Sequence, residues 1–264
     1  MSHDYWSLVE AWTRASRRGA FNMVEVACPG TDRALLCAEL GAGDAPRIHV
    51  TAGVHGDEPA SPWSLLSIVE GGLLDPRFSY RVWPCTNPSG YLAGTRFNAE
   101  GADINRSFSV EAATPESQAI MDRNKGSAFV LSLDLHEDFE ADGFYCYEPI
   151  VDGDAPLSRS ILHDIEAGGF PLQTLDHLFD LGYPKDEAQA ERFRTLERGR
   201  VLVKTSAERR LFPGLPLSLY LLRTATRRNV TIETPRRSKW EDRIAMHRIA
   251  VVAALTKAMD LLAT

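Results

Sequence analysis

Residues 48–58 read IHVTAGVHGDE: a largely apolar, β-branched run over 48–54 followed by an imidazole, a glycine and two carboxylates. A short apolar run bounded by turn residues is the pattern of a strand buried on both faces. Three further runs repeat it. Residues 80–85 lead into Asn87-Pro88-Ser89-Gly90-Tyr91, residues 130–135 into His136, and residues 229–232 into Glu233. Helical spacing fills the intervals at 62–70, at 116–125 after a Thr114-Pro115 start signal, and at 158–167. Strands alternating with helices predict an α/β fold with a mixed, mostly parallel central sheet and helices on both faces. In open sheets of this class ligands bind beyond the carboxyl ends of the strands, so four polar clusters are expected to meet along one edge.

The last segment places Ile244, Met246, Ile249, Val252, Leu255, Met259 and Leu262 at 3–4 spacing, which predicts a long amphipathic helix lying on the sheet. Residues 176–214 are rich in charge, glycine and proline and predict loops and short elements. No linker or internal repeat divides the 264 residues, and a chain with 44% apolar composition can bury a sizeable core, so a single domain over 1–264 is expected. A net charge of -7 with both signs mixed argues against a nucleic-acid partner. The amino-terminal segment has no apolar core of signal-peptide type, and no apolar stretch is long enough to span a membrane. Cys28, Cys37, Cys85 and Cys146 lie far apart, as buried reduced thiols do, which predicts a cytoplasmic protein and a metal site without sulfur.

His55 and Glu58 are three apart at a strand end, so one turn can aim both at a single ion, with His136 arriving from another strand. Two histidines and one glutamate leave a fourth zinc position open, as a catalytic site requires. Such an ion lowers the pKa of its water and polarises a carbonyl. Each residue also has an ordinary reading. His55 suits a turn, Glu58 suits a helix start, and His136 suits a core bonded to Asp134 or Glu137. Glu233 follows a buried strand and precedes Pro235, a position for a general base or for a plain strand-end carboxylate. Asn105 beside Arg106 pairs an amide donor with a guanidinium fork, a combination that grips a carboxylate. Arg96 reads as a partner for a developing oxyanion or as a surface salt bridge.

In order and spacing these residues resemble the M14 zinc carboxypeptidase superfamily, and within it the compact bacterial murein peptide amidases. The resemblance rests on His55-Gly56-Asp57-Glu58, on 87–108 from Asn87-Pro88-Ser89-Gly90-Tyr91 through Arg96 to Asn105-Arg106-Ser107-Phe108, on Asp134-Leu135-His136 and on Ile232-Glu233. It implies a zinc carboxypeptidase-like fold with one Zn2+ on His55, Glu58 and His136, and Glu233 activating water. Asn105 and Arg106 would anchor a terminal carboxylate, and Arg96 would polarise the scissile carbonyl. The implied substrate is a small peptide or acyl amino acid with a free carboxylate. The family's substrate-closing tyrosine has no clear match: Phe212 stands near its place, with Tyr183, Tyr220, Tyr145 and Tyr147 as substitutes. Arg209, Arg210, Arg223, Arg227 and Arg228 could bring positive charge near the side-chain pocket. N-acyl amino acid deacylases of the aspartoacylase and succinylglutamate desuccinylase type share the arrangement. Those relatives usually carry an extra β-rich carboxyl-terminal region, whereas the residues after Glu233 here read as one helix, which favours the peptidase or amidase. A non-catalytic binding domain would be expected to have lost a ligand or the base, and neither is missing.

Overall fold

The structure, a computed structural model, describes residues 4–150, 156–175, 194–204 and 214–262. The strands are β1 (Asn22–Ala27), β2 (Ala34–Leu40), β3 (Arg47–Ala52), β4 (Ser79–Trp83), β5 (Leu131–Asp138), β6 (Tyr145–Ile150), β7 (Arg194–Glu197), β8 (Arg200–Lys204) and β9 (Asn229–Pro235). They form one sheet in the order β1-β2-β4-β3-β5-β9-β6-β8-β7. Its centre, β4-β3-β5-β9, is parallel, and β2 and β6 join that centre antiparallel on either side. The sequence reading of a mixed sheet with a parallel middle therefore holds. Helices cover both faces of the central strands, but only one face is apolar throughout: Ile48, Val50, Leu133 and Ile232 enter one core, and His49, Thr51, Asp134 and Thr231 are buried facing the other way.

The helices are α1 (Tyr5–Ala15), α2 (Ala60–Glu70), α3 (Pro88–Ala93), α4 (Pro115–Asn124), α5 (Ser158–Ala167), α6 (Leu217–Thr224) and α7 (Trp240–Leu262). One face packs Leu8, Trp12, Leu65, Ile161 and Ala250 over Ile48, Val50, Leu133 and Ile232. The other packs Ile120, Leu217 and Leu221 near Trp83, Ile104 and Phe108. Alternation along each strand then sorts the polar residues. On β5, Leu131, Leu133 and Leu135 enter the first core, so Asp134 and His136 point to the opposite face.

Two expectations need correction. His136 and Glu233 lie inside β5 and β9 rather than just past them, because ladder pairing continues to Asp138↔Pro235. On α7, Met246 and Leu255 are buried and Ile249 and Met259 pack against the core as expected, but Val252 and Leu262 are exposed, and the buried face also takes in Arg243, His247, Ala250 and Ala254. The small alanines on this face permit close approach to α2 and α5.

His49 on β3 is fully enclosed, with Nε2 3.1 Å from Asn124 Nδ2 and its ring edge-on to Phe129. Burial disfavours the charged ring and pushes its pKa down to about 3. The unfolded chain protonates this ring near pH ~6.5, so acid binds the unfolded state first and stability falls as pH drops below that value. The expected contribution is up to about 1.4 kcal/mol per pH unit. Urea unfolding of His49→Gln between pH 6.5 and 5 should show a flatter slope than the parent; an unchanged slope would contradict the assignment.

Candidate metal centre

His55 and Glu58 occupy the turn between β3 and α2, closed by Glu58 N–H donating to the His55 carbonyl at 3.3 Å. Gly53 enters this turn with φ +63, which favours glycine. Gly56 is required for a different reason. A Cβ there would stand 1.9 Å from the Gly90 carbonyl carbon, so the two turns touch backbone to backbone. Gly56→Ala must push them apart, at an expected cost of about 1–3 kcal/mol in stability. Because His55 and Glu58 flank the displaced segment, bound metal per chain, read by elemental analysis, should fall as well.

Glu58 stands between the two imidazoles. Its Oε1 lies 2.5 Å from His55 Nδ1 and its Oε2 lies 3.0 Å from His136 Nδ1. One ligand atom from each of the three residues falls within 4.8 Å of the others, and all three residues are buried. The outer nitrogens face carboxylates: His55 Nε2 is 3.5 Å from Asp103 Oδ1, and His136 Nε2 is 3.2 Å from Asp134 Oδ2. Asp134 is itself held by the Thr51 hydroxyl at 2.6 Å, across the β3–β5 register. A carboxylate beside the outer nitrogen favours keeping the ring proton there, which leaves the inner lone pair free for an ion.

The charges agree with this geometry. Burial works against ionised Glu58, yet the two imidazoles hold its carboxyl well below the ordinary range. Burial would likewise lower the pKa of His136, but Asp134 and Glu58 raise it well above normal. Glu233 is pushed up by burial and by Glu58, Asp138 and Asp134, against the pull of His136. Buried carboxylates of one sign around two imidazoles fit a cation at their centre. The donor set of nitrogen and oxygen, without sulfur, fits a divalent metal ion.

Glu233 pairs in register with His136 on one side and Tyr145 on the other, so the three side chains share a face. Tyr145, one of the tyrosines considered from sequence, is buried and donates its hydroxyl to Asp138 Oδ2 at 2.7 Å. Tyr147 packs edge-on to it, and Tyr220 stacks on Phe108. Arg96 donates twice to Asp103 Oδ2, at 2.9 and 3.0 Å, and its Nη1 lies 3.4 Å from His55 Nδ1. Arg96 thus forms its ion pair inside the site, beside His55, and not on an outlying surface.

Asn105 and Arg106 form a short 3-10 turn capped by Asp103, whose Oδ1 accepts from Asn105 N–H at 2.9 Å. The Asn105 side-chain oxygen accepts from Leu217 N–H at 3.0 Å. An N–H can pair only with the oxygen end of the amide, so that contact fixes the flip and turns the NH₂ the other way. Arg106 places Nη1 2.7 Å from the Asn105 carbonyl. Gly214 packs against this turn so closely that a Cβ would meet the Arg106 carbonyl oxygen at 1.7 Å.

Asp103 and Thr51 were not given a role from sequence, and Asp134 was named there as a core partner of His136. Asp134 lies two residues before His136 on one strand, and period-two spacing could have placed both on one face. Phe212, Tyr183, Arg209 and Arg210 lie outside the described residues, as does most of the expected loop region 176–214. Arg223 and Arg227 are exposed and Arg228 is half-buried.

The family model for the succinylglutamate desuccinylase/aspartoacylase catalytic domain matches residues 44–203. Murein peptide amidase A of Escherichia coli (strain K12) is 37% identical over 102 residues, covering 35% of this chain and 39% of that protein. The match thus spans well under half the length of that relative. Among solved structures, a candidate metallopeptidase from Shewanella amazonensis SB2B superposes with TM-score 0.76 at 20% identity, covering 97% of this chain and 93% of that one. A metallo-carboxypeptidase from Burkholderia cenocepacia gives TM-score 0.65 at 18% identity, covering 96% of this chain and 68% of that one. Carboxypeptidase A from Helicoverpa armigera gives 0.63 at 14%, covering 95% and 71%. These likenesses establish a carboxypeptidase fold.

Proposed function

For a chain that belongs to the succinylglutamate desuccinylase/aspartoacylase catalytic-domain family, we propose a zinc-dependent hydrolase that cleaves an amide bond beside a free carboxylate, as a peptide amidase or carboxypeptidase does. One observation carries this reading: both Nδ1 atoms turn onto the two oxygens of Glu58, and Glu233 stands in register with His136 on the next strand. His55, Glu58 and His136 would hold the ion. Bound there, zinc would supply Lewis-acid polarisation of the scissile carbonyl and a more acidic water.

The chain's own residues do the rest. Glu233 takes the proton from the attacking water and returns it to the leaving nitrogen, and burial, by raising its carboxyl above the ordinary value, makes it a better proton acceptor. Arg96 faces the developing oxyanion from beside His55, steadied by Asp103. The Asn105 amide donor and the Arg106 fork grip the substrate carboxylate. Asn105→Asp keeps the acceptor for Leu217 N–H but sets an anion against that carboxylate. Loss of one charge-assisted hydrogen bond predicts a rise in KM of about 10–100-fold, with kcat less affected. Steady-state kinetics showing an unchanged KM would remove Asn105 from the substrate site.

A second reading, an N-acyl amino acid deacylase, is favoured by the family model matched. The same metal centre and carboxylate grip would serve it, because an acyl amino acid presents an amide next to a free carboxylate. Hydrolysis of a panel of cell-wall peptides, carboxyl-terminal dipeptides, and N-acetyl and N-succinyl amino acids separates the two. Turnover confined to the acylated amino acids would overturn the peptidase reading. We include a cytoplasmic location and a single catalytic domain in the proposal, supported for the former by four buried cysteines that are free thiols. Among the described residues no helix is long and apolar enough to cross a membrane.

A further inference from the structure

The face of the sheet opposite the metal centre carries polar groups that the chemistry above does not use. Glu137 directly follows His136, so alternation turns its side chain toward α2 and α7. It is 4% exposed there. Its Oε1 accepts from Ala60 N–H at 2.5 Å, and its Oε2 meets Arg243 Nη1 of α7 in an ion pair. Ala60 opens α2 two residues after Glu58. The residue before it, Pro59, offers no side-chain cap, so Glu137 caps this helix from a neighbouring strand. The Glu137 N–H, in turn, donates to Glu58 Oε2 at 3.0 Å.

One turn beyond Arg243, His247 is wholly buried, with Nε2 3.1 Å from the His136 carbonyl and Nδ1 3.0 Å from Ser64 Oγ of α2. A carbonyl only accepts, so Nε2 carries the proton and donates it. Among the described residues, the side-chain contacts of Glu137 and His247 end on α7, on α2 just after Glu58, or on the His136 peptide. A core histidine or an ion pair serving packing alone has no need to terminate on those two segments, and a buried ion pair by itself is weak evidence for stability.

We propose that Arg243 and His247, one turn apart on α7, are positioning residues for the metal centre, fixing from the far face of the sheet the backbone on which Glu58 and His136 are mounted. The inference rests on the metal-site reading. Neither residue touches substrate or ion. Arg243 locks the carboxylate that seats the start of α2, and His247 sets the depth of the His136 peptide.

The test is a zinc titration of the full chain against a competing chelator, with His247→Leu, His247→Gln and Arg243→Lys beside the parent. Groups that orient metal ligands typically change affinity by about 10–100-fold when removed, and His247→Leu should weaken zinc binding within that range. His247→Gln keeps an N–H donor for the His136 carbonyl and should restore most of the loss. Cobalt(II) loaded in place of zinc should show altered visible bands in the leucine variant and near-parental bands in the glutamine variant, a signature that packing alone would not move. Arg243→Lys keeps the charge but loses the planar fork, and should also bind zinc more weakly. It decides the matter if His247→Leu fails to fold. Parental zinc affinity in folded His247→Leu, or in Arg243→Lys, would overturn the positioning role. Equal weakening in the leucine and glutamine variants would do so too, by pointing to shape rather than the hydrogen bond. A parent chain that binds no zinc would sink the metal-site reading first, which keeps the two failures apart.

Discussion

Glu233→Gln should retain one zinc per chain and lose hydrolysis by about 10²–10⁴-fold, the range expected for removal of a positioned general base. The substitution is nearly isosteric. Glu233 makes its strand contacts through the backbone, in register with His136 and Tyr145, and those survive. What is lost is proton acceptance beside the ion, in a pocket whose burial and neighbouring carboxylates raise the carboxyl above its ordinary value. The loss should therefore fall on kcat with little change in KM, since the group acts on the water and the leaving nitrogen rather than on the bound carboxylate. Elemental analysis of the same preparation checks that the metal remains. Retained turnover with full zinc would exclude Glu233 as the base; loss of zinc with the activity would make it a ligand instead.

His136→Ala should lose both zinc and activity. Two of three protein ligands would remain, on one turn, and the Asp134 carboxylate held by Thr51 would be left buried without the ring it faces. The defect has a thermal signature. A ligand that binds only the native state stabilises it by about 2.7 kcal/mol at 100 times its Kd, so added zinc should raise the unfolding temperature of the parent and not of the variant. Stoichiometric zinc in His136→Ala would refute the ligand set, and a zinc-dependent shift surviving in the variant would place the ion elsewhere.

Much of this was legible in the chain. The runs at 48–54, 80–85, 130–135 and 229–232 mark the four parallel strands at the centre of the sheet, because each is short, is bounded by turn residues and repeats an apolar residue at every second position against one core. The switch-edge rule then brings His55, Glu58, His136 and Glu233 together, since all four follow or end such runs. The sequence alone determined those elements and that edge: local composition fixes where a buried strand starts and stops. Only the tertiary structure decided the rest. Register set His136 opposite Glu233 within the ladder, and close backbone approach at Gly56 and Gly90 seated one turn on another. Likewise Asp103, Glu137, Arg243 and His247 gained their partners from residues distant in the chain. Such contacts depend on which face and which layer a side chain meets after packing, and a residue's own neighbours in sequence carry no record of that.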